Sequence, residues 1–200
     1  MKDKIIQKAA DLHFKYGIKN VTMDQLAQEL GISKKTIYTY FLSKDDLVAQ
    51  TVDYIFDKIQ TEIDKIYSQK LNPYEELFQV KNVIKGMLAN TKITPYYQLK
   101  KYYPEVAEKL EKRKFDSMME FLEHNINKGI KKGYYKEDLD KEFIKRIYFA
   151  NVRSINDEEL FPPDKFDMPQ LMDTFLSMFL SGISTKKGRK KMKEVIELND

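Results

Sequence analysis

Apolar residues recur at helical spacing along almost the whole chain of 200 residues. In most segments they occupy positions i, i+3, i+4 and i+7, and no stretch alternates apolar and polar residues for long enough to indicate a strand. The pattern therefore predicts an all-α protein. Helices are expected over residues 2–16, 24–30, 34–40, 44–70, 73–90, 95–102, 104–131, 139–156 and 168–184.

Capping and turn residues mark several ends of these predicted helices. Residues 22–25 (Thr-Met-Asp-Gln) fit a capping box, in which the first and fourth side chains each bond the backbone N–H of the other residue. Residues 72–75 and 167–170 repeat this pattern, and each includes a proline near the first helical position. Glycine, which favours helix ends, stands at positions 17 and 31.

The length of the predicted helices changes near residue 45. The first three helices are short, whereas most of the later ones are long. We therefore expect an N-terminal three-helix domain over residues 1–46, joined to a helical domain over residues 47–200.

Residues 22–41 have the pattern of a helix-turn-helix motif. Leu26 and the small Ala27 allow close helix packing, Gly31 supplies a turn, and Ile37 and Phe41 give the second helix an inward face. The outward face carries donors and acceptors suited to base edges and phosphates, namely Lys34, Lys35, Thr36, Tyr38 and Thr39. The pattern alone also fits an ordinary helical hairpin with a polar exterior.

The run from Ile5 to Val48 resembles the N-terminal domain of the TetR family of transcriptional regulators. The matching positions are Ala9, Leu12, Gly17, Val21 to Met23, Ile32, Ser33, Thr36, Tyr38, Tyr40, Phe41 and Ser43 to Leu47. The resemblance implies a repressor that binds a palindromic operator in double-stranded DNA as a homodimer. It implies that Lys34, Lys35 and Thr36 read bases. The implied phosphate contacts are Thr22, Ser33, Tyr38, Tyr40 and Lys44.

Two positions depart from the family pattern. His13 stands where the family usually has Phe, and we expect a neutral histidine of the core there, because the other histidine, His124, is distant in the chain. Lys35 stands where many members carry Gly or Ala. Its long cation suits a guanine edge or a phosphate, and the sequence leaves both roles open.

The resemblance is weaker beyond residue 50, but it implies a dimerisation face and a ligand site in the C-terminal helices. The last predicted helices carry more apolar side chains than packing within one chain requires, which favours an interface with a partner. The expected dimer residues are Ile144, Ile147, Tyr148, Leu171, Phe175, Met178 and Phe179. Adaptable methionine and aromatic side chains predict a site for a small, largely apolar ligand. The expected ligand residues are Tyr97, Tyr102, Phe115, Met118, Met119 and Leu122.

Composition narrows the remaining classes of protein. The net charge of +4, from 35 basic and 31 acidic residues, says little by itself about a nucleic-acid partner. The chain has no cysteine, which excludes thiol nucleophiles and zinc fingers and fits a reducing cytoplasm. We expect a cytoplasmic protein with no membrane partner, because the most apolar stretch, residues 171–183, is about half of a bilayer span. The basic run at residues 186–193 fits a solvated tail or a nonspecific phosphate contact.

Two functions other than DNA binding are open to an all-helical chain. An enzyme is not expected, because the sequence lacks a zinc-protease motif and a Gly-rich phosphate loop, and we expect no cofactor or metal. A helical protein-interaction module without an effector also fits the apolar last helices. Sedimentation separates this alternative from a homodimeric regulator.

Overall fold

The structure is a computed structural model that describes residues 1–88, 95–157, 159–162 and 164–197. Within these ranges the chain is helical, as the apolar spacing predicted. The helices are α1 (Lys2–Tyr16), α2 (Met23–Leu30), α3 (Lys34–Tyr38), α4 (Lys44–Tyr67), α5 (Pro73–Leu88), α6 (Pro95–Tyr102), α7 (Pro104–Lys131), α8 (Lys141–Ile155), α9 (Met168–Ile183) and α10 (Lys186–Glu197). The last two residues of the fifth predicted helix, 89 and 90, lie outside the described residues. Across the described ranges, no helix combines the length and apolarity needed to cross a membrane.

The chain separates into two compact units. The first unit comprises Met1–Lys65 and Asn82–Arg113, and the second comprises Ile66–Lys81 and Lys114–Asp200. The first unit therefore contains α1 to α3, most of α4, the end of α5, the whole of α6 and the start of α7.

The core of the first unit lies beneath α2 and α3. Ile5, Leu26 and Ile37 are completely buried there, and Phe41 is 1% exposed. A second cluster joins Ile18, Val48, Leu99 and Ala107, which come from the α1–α2 loop, α4, α6 and α7. Burial of these apolar side chains is the main force that holds the short N-terminal helices in place.

The second unit contains a buried polar network besides its apolar core. Glu76 is completely buried and accepts hydrogen bonds from Lys128 and from Asn125, whose Nδ2 lies 2.9 Å from the carboxylate. The Tyr135 hydroxyl donates to Asn125 Oδ1 at 3.1 Å, and the hydroxyls of Tyr74 and Ser184 lie 2.8 Å apart. Because buried polar groups are costly without partners, these bonds fix how α5, α7 and α9 pack.

Among the three predicted capping boxes, one contains both expected bonds and another contains one of them. The Thr22 hydroxyl accepts from the Gln25 N–H at 3.1 Å. In the second box, Asn72 Oδ1 accepts from the Glu75 N–H at 3.2 Å, and the Glu75 carboxylate accepts from the Asn72 N–H at 2.7 Å. The third prediction was wrong in its mechanism, since α9 begins at Met168 without a side-chain cap from Asp167.

The expectation of a solvated tail over residues 186–193 was also wrong. This run lies within α10, whose residues Gly188, Met192 and Val195 are buried in the second unit. The six cations of the run hid the spacing of these buried residues, which follow one another at four and three positions and therefore share one face of the helix.

Candidate nucleic-acid interface

Helices α2 and α3 are joined by a tight left-handed turn at Gly31. Gly31 has φ 64° and ψ 31°, and its N–H bonds the carbonyl oxygens of Ala27 and Gln28. The following Ile32 N–H returns to the Ala27 carbonyl at 3.0 Å. The turn thus uses the free carbonyls at the end of α2 and redirects the chain into α3.

Helix α3 is short, and contacts at its start and on its inner side hold it in place. At its start, the Ser33 hydroxyl accepts from the Thr36 N–H at 3.0 Å and lies 2.8 Å from the Thr36 hydroxyl. On its inner side, Ile37 is completely buried and Phe41 follows four residues later in the same core. These anchors leave the opposite side of α3 free.

The predicted DNA contacts are largely accessible. Lys34, Lys35, Tyr38 and Tyr40 are exposed, as are Thr22 and Ser33, whereas Thr36 and Lys44 are half-buried. The structure therefore brings Lys34, Lys35, Thr36 and Tyr38 to one exposed side of α3, with the hydroxyl of Ser33 at its start.

Two of the predicted cations already have partners within the first unit. Lys34 Nζ lies 2.8 Å from Asp24 of α2, and this carboxylate raises the pKa of Lys34 by its hydrogen bond and its charge. Lys44 Nζ donates to the Lys19 carbonyl at 3.0 Å, and burial lowers the pKa of Lys44. Lys35 differs from both, because it is exposed and forms no ion pair with any described residue.

The acidic residues at the start of α4 stabilise the helix. Ser43 Oγ accepts from the Asp46 N–H at 3.0 Å, and Asp46 in turn accepts from the Leu42 N–H at 2.9 Å. The Asp46 carboxylate also accepts from Gln50 at 2.8 Å, and these bonds lower its pKa. Asp46 thus points back to the chain and stabilises the N-terminal end of α4.

His13 is part of the core beneath the motif. The residue is 4% exposed, and burial lowers its pKa from 6.5 to about 4, with the charge of Lys44 adding to the effect. The imidazole is therefore neutral at physiological pH, as expected from the sequence.

Sequence reasoning missed two features of this surface. Leu42, in the turn before α4, is 94% exposed. The Lys19 N–H donates to Gln98 Oε1 at 3.3 Å, and the Lys19 ammonium donates to the Tyr102 hydroxyl at 3.2 Å. No local pattern signals these bonds, because the partners lie about eighty positions apart in the chain.

The motif lies within a segment that matches a known protein family. Residues 5–51 match the family model described as bacterial regulatory proteins of the tetR family. The N-terminal segment is thus similar to the DNA-binding domain of the TetR family, and the chain is a DNA-binding transcriptional regulator. In helix-turn-helix proteins the second helix of the motif lies in the major groove, and α3 is the second helix of this motif.

Several known proteins are similar to this regulator over nearly the whole chain. The fatty acid metabolism regulator protein of Bacillus subtilis (strain 168) is 22% identical over 186 residues, which cover 92% of this chain and 95% of that protein. A transcriptional regulator from Cytophaga hutchinsonii has a similar fold, with a TM-score of 0.77 at 19% identity over 92% of this chain and 98% of its own. The regulator FadR from Bacillus subtilis was solved in complex with stearoyl-CoA. Its fold matches with a TM-score of 0.68 at 22% identity, over 92% of this chain and 100% of its own. At these identities the solved structures establish a shared fold.

The predicted ligand residues of the regulator fall in both units. Tyr97 and Tyr102 are exposed on α6 of the first unit. Phe115, Met118 and Met119 are half-buried on α7 of the second unit, where Leu122 is 1% exposed. The Phe115 ring packs edge-on against Phe149 with centroids 5.0 Å apart.

The predicted dimer residues divide by exposure within the second unit. Tyr148 and Phe175 are buried and pack against each other with ring centroids 5.4 Å apart. Ile144, Leu171 and Phe179 are half-buried. Ile147 and Met178 are 37% and 67% exposed, and the sequence interpretation missed Phe143, which is 60% exposed at the start of α8.

Proposed function

We propose that the regulator is a ligand-controlled repressor that binds a palindromic operator as a homodimer. Residues 1–46 form the DNA-binding domain in this proposal, and residues 47–200 bind the ligand and form the dimer. The observation that carries it is the exposed polar side of α3 above its two buried anchors, Ile37 and Phe41. The proposal includes no catalytic step.

Each predicted DNA contact has a role that fits its surroundings. Lys35 and Thr36 read base edges in the major groove, and Lys34 joins them when its surface pair with Asp24 opens. Such exposed pairs are weak, so a phosphate or guanine competes with the carboxylate. Thr22, Ser33, Tyr38, Tyr40 and Lys44 contact phosphates, which fix the register of the domain without reading sequence.

A ligand with a long apolar portion fits the second unit. The α7 side chains Phe115, Met118 and Met119 are half-buried and offer an adaptable apolar lining. The related FadR, solved with stearoyl-CoA, adds support for a fatty acyl group. Ligand controls DNA affinity by binding better to one arrangement of the dimer, and a coupling of about 1–3 kcal/mol is sufficient.

Selection of bound fragments from the source genome, followed by footprinting, tests DNA recognition directly. We expect a protected site with two-fold symmetry and half-sites one or two helical turns apart. Protection should weaken steeply with added salt, because phosphate contacts release counterions. An asymmetric site, or no preferred sequence among the selected fragments, contradicts the proposal.

A thermal-unfolding titration tests the ligand. Stearoyl-CoA is compared with free CoA, which lacks the acyl chain. We expect the acyl thioester to raise the Tm and to change operator affinity, while CoA changes neither. Equal responses to both compounds contradict an apolar site.

A further inference from the structure

Helix α10 exposes a row of cations along one side. Lys186, Lys190 and Lys193 recur at i, i+4 and i+7 and therefore share one face, and all three are exposed. Within the described ranges none of them forms an ion pair, whereas their neighbour Lys191 is paired with Glu194 at 2.9 Å. Arg189, exposed on the flank of this row, is likewise without an ion pair there.

The charge pattern of α10 opposes the stability of the helix. Its first turn has no acidic residue and holds Lys186, Lys187 and Arg189 at the positive end of the helix dipole. The like charges of Lys186 and Lys190, four residues apart, add further repulsion. By contrast α4, α5, α7 and α8 begin with acidic residues. Among the other described helices, only α3, the proposed DNA-reading helix, also has cations and no acidic residue in its first turn.

Anchors hold α10 firmly despite this repulsion. The Thr185 hydroxyl accepts from the Gly188 N–H at 3.0 Å, and the Thr185 N–H donates to the Tyr134 carbonyl at 2.9 Å. Lys187 Nζ donates to the Lys132 carbonyl at 2.9 Å, so the end of α7 lies beside the start of α10. The α10 surface therefore comprises Lys131, Lys132, Lys186, Arg189, Lys190 and Lys193, all of them exposed.

We propose that the α10 surface is a second, sequence-independent contact for the phosphate backbone of duplex DNA. Between Lys186 and Lys193 the helix rises about 10 Å, a length over which a duplex presents about six negative charges. From Lys186 to Lys193 the exposed charged side chains of α10 are all lysine or arginine, which bind phosphates, and the exposed acids Glu194 and Glu197 stand at its C-terminal end. This part of the helix lacks the amides that read adenine.

A membrane surface fits these residues less well. An interfacial helix inserts apolar side chains into the bilayer, but Met192 and Val195 of α10 are buried in the protein. Only charge attraction would therefore hold α10 on a lipid surface, and duplex DNA presents a denser negative charge than such a surface.

The test compares two triple variants of the full-length protein with equal changes in charge. The first is Lys186→Gln/Lys190→Gln/Lys193→Gln. The control is Lys58→Gln/Lys112→Gln/Lys165→Gln, at exposed lysines outside the α10 surface. Removing cations from the first turn of α10 relieves repulsion, so the first variant should keep its Tm. The loss of DNA affinity then does not reflect unfolding.

Fluorescence anisotropy measures the affinity for a long duplex of scrambled sequence as salt is increased. We expect the slope of log K against log salt to fall by about 2 to 3 for the α10 variant, since each phosphate contact contributes about 0.9. The control should change by less than 1. In a second assay, protein bound to an immobilised duplex is offered a labelled duplex in solution. Capture of the labelled duplex shows that α10 contacts another duplex, and its absence shows that α10 contacts the DNA that flanks the bound site.

Loss in either assay that is specific to the α10 variant supports the proposal. Equal behaviour of the two variants in both assays overturns it. Binding to phosphatidylglycerol vesicles is measured as well, and an α10 variant that loses affinity for the vesicles but not for DNA also overturns the proposal. The ratio of operator to scrambled affinity reports on α3 and should stay constant, so failure here is distinct from failure of operator recognition.

Discussion

At the scale of single residues, His13 makes the fold sensitive to acid. Its pKa is lowered from 6.5 to about 4 in the folded protein, so the unfolded chain binds the proton more readily. The stability that comes from the neutral His13 is therefore fully present above pH 6.5, and it is lost as the pH falls from 6.5 towards 4. We expect unfolding free energy to drop by about 2 kcal/mol between pH 7.5 and pH 5 from this residue alone.

His13→Phe should remove this part of the pH dependence, because Phe has no proton to bind. Urea unfolding at both pH values gives the difference for each protein, and any change in packing that is independent of pH cancels. His124→Gln, at the exposed histidine, is the control and should keep the wild-type difference. An unchanged difference in His13→Phe shows that other groups carry the acid sensitivity.

Lys35 and Lys44 test the division between reading bases and gripping phosphates. If Lys35 contacts a guanine, Lys35→Ala should reduce discrimination at one base position by about 1–3 kcal/mol. Lys44→Ala should weaken all sequences alike, and Lys44→Arg should restore most of the affinity because it keeps the charge. Affinities for the operator and its single-base variants decide this. A uniform loss in Lys35→Ala assigns that lysine to a phosphate instead.

At the scale of elements, the glycine in α10 sets how closely this helix docks. A Cβ on Gly188 would lie 2.0 Å from the Tyr134 carbonyl oxygen and 2.4 Å from the Tyr74 hydroxyl. Because a backbone oxygen cannot move aside cheaply, Gly188→Ala should destabilise the protein by about 1–3 kcal/mol. Chemical denaturation measures this loss.

The matched substitution is Gly86→Ala in α5. A Cβ there meets no atom within 4 Å, so the exchange should raise stability by about 0.5–1 kcal/mol through a lower backbone entropy of the unfolded chain. A loss of stability in both variants would mean that helical glycines matter for a reason other than the docking of α10.

Elements with strong local signals were predictable from the sequence, and those held by distant contacts were not. The α2–turn–α3 motif was found because Gly31, Ser33 and Ile37 each act within a few residues of one another. Helix α10 was missed because its cations dominate the composition of the run. The bonds from Lys19 to α6 were missed because they join residues about eighty positions apart and leave no periodic trace.

At the scale of the whole molecule, the proposed palindromic operator requires two copies of α3 and therefore a dimer. The second unit exposes Phe143 and Ile147 on α8 and Met178 on α9, above the packed rings of Tyr148 and Phe175. Exposed apolar side chains on a rigid support are typical of a protein interface. A charge placed among them loses its hydration when the face is covered, so it opposes association.

Met178→Asp should therefore convert a dimer into a monomer in sedimentation velocity at micromolar concentration, with its helical content unchanged. Leu42→Asp, at a residue that is 94% exposed near α3, is the control for an added acidic charge and should remain dimeric. The monomer should still bind a half-site weakly, because α3 and its core lie in the first unit, but it should lose the tight binding that comes from linking two half-sites. A Met178→Asp protein that stays dimeric moves the interface away from this face of α8 and α9.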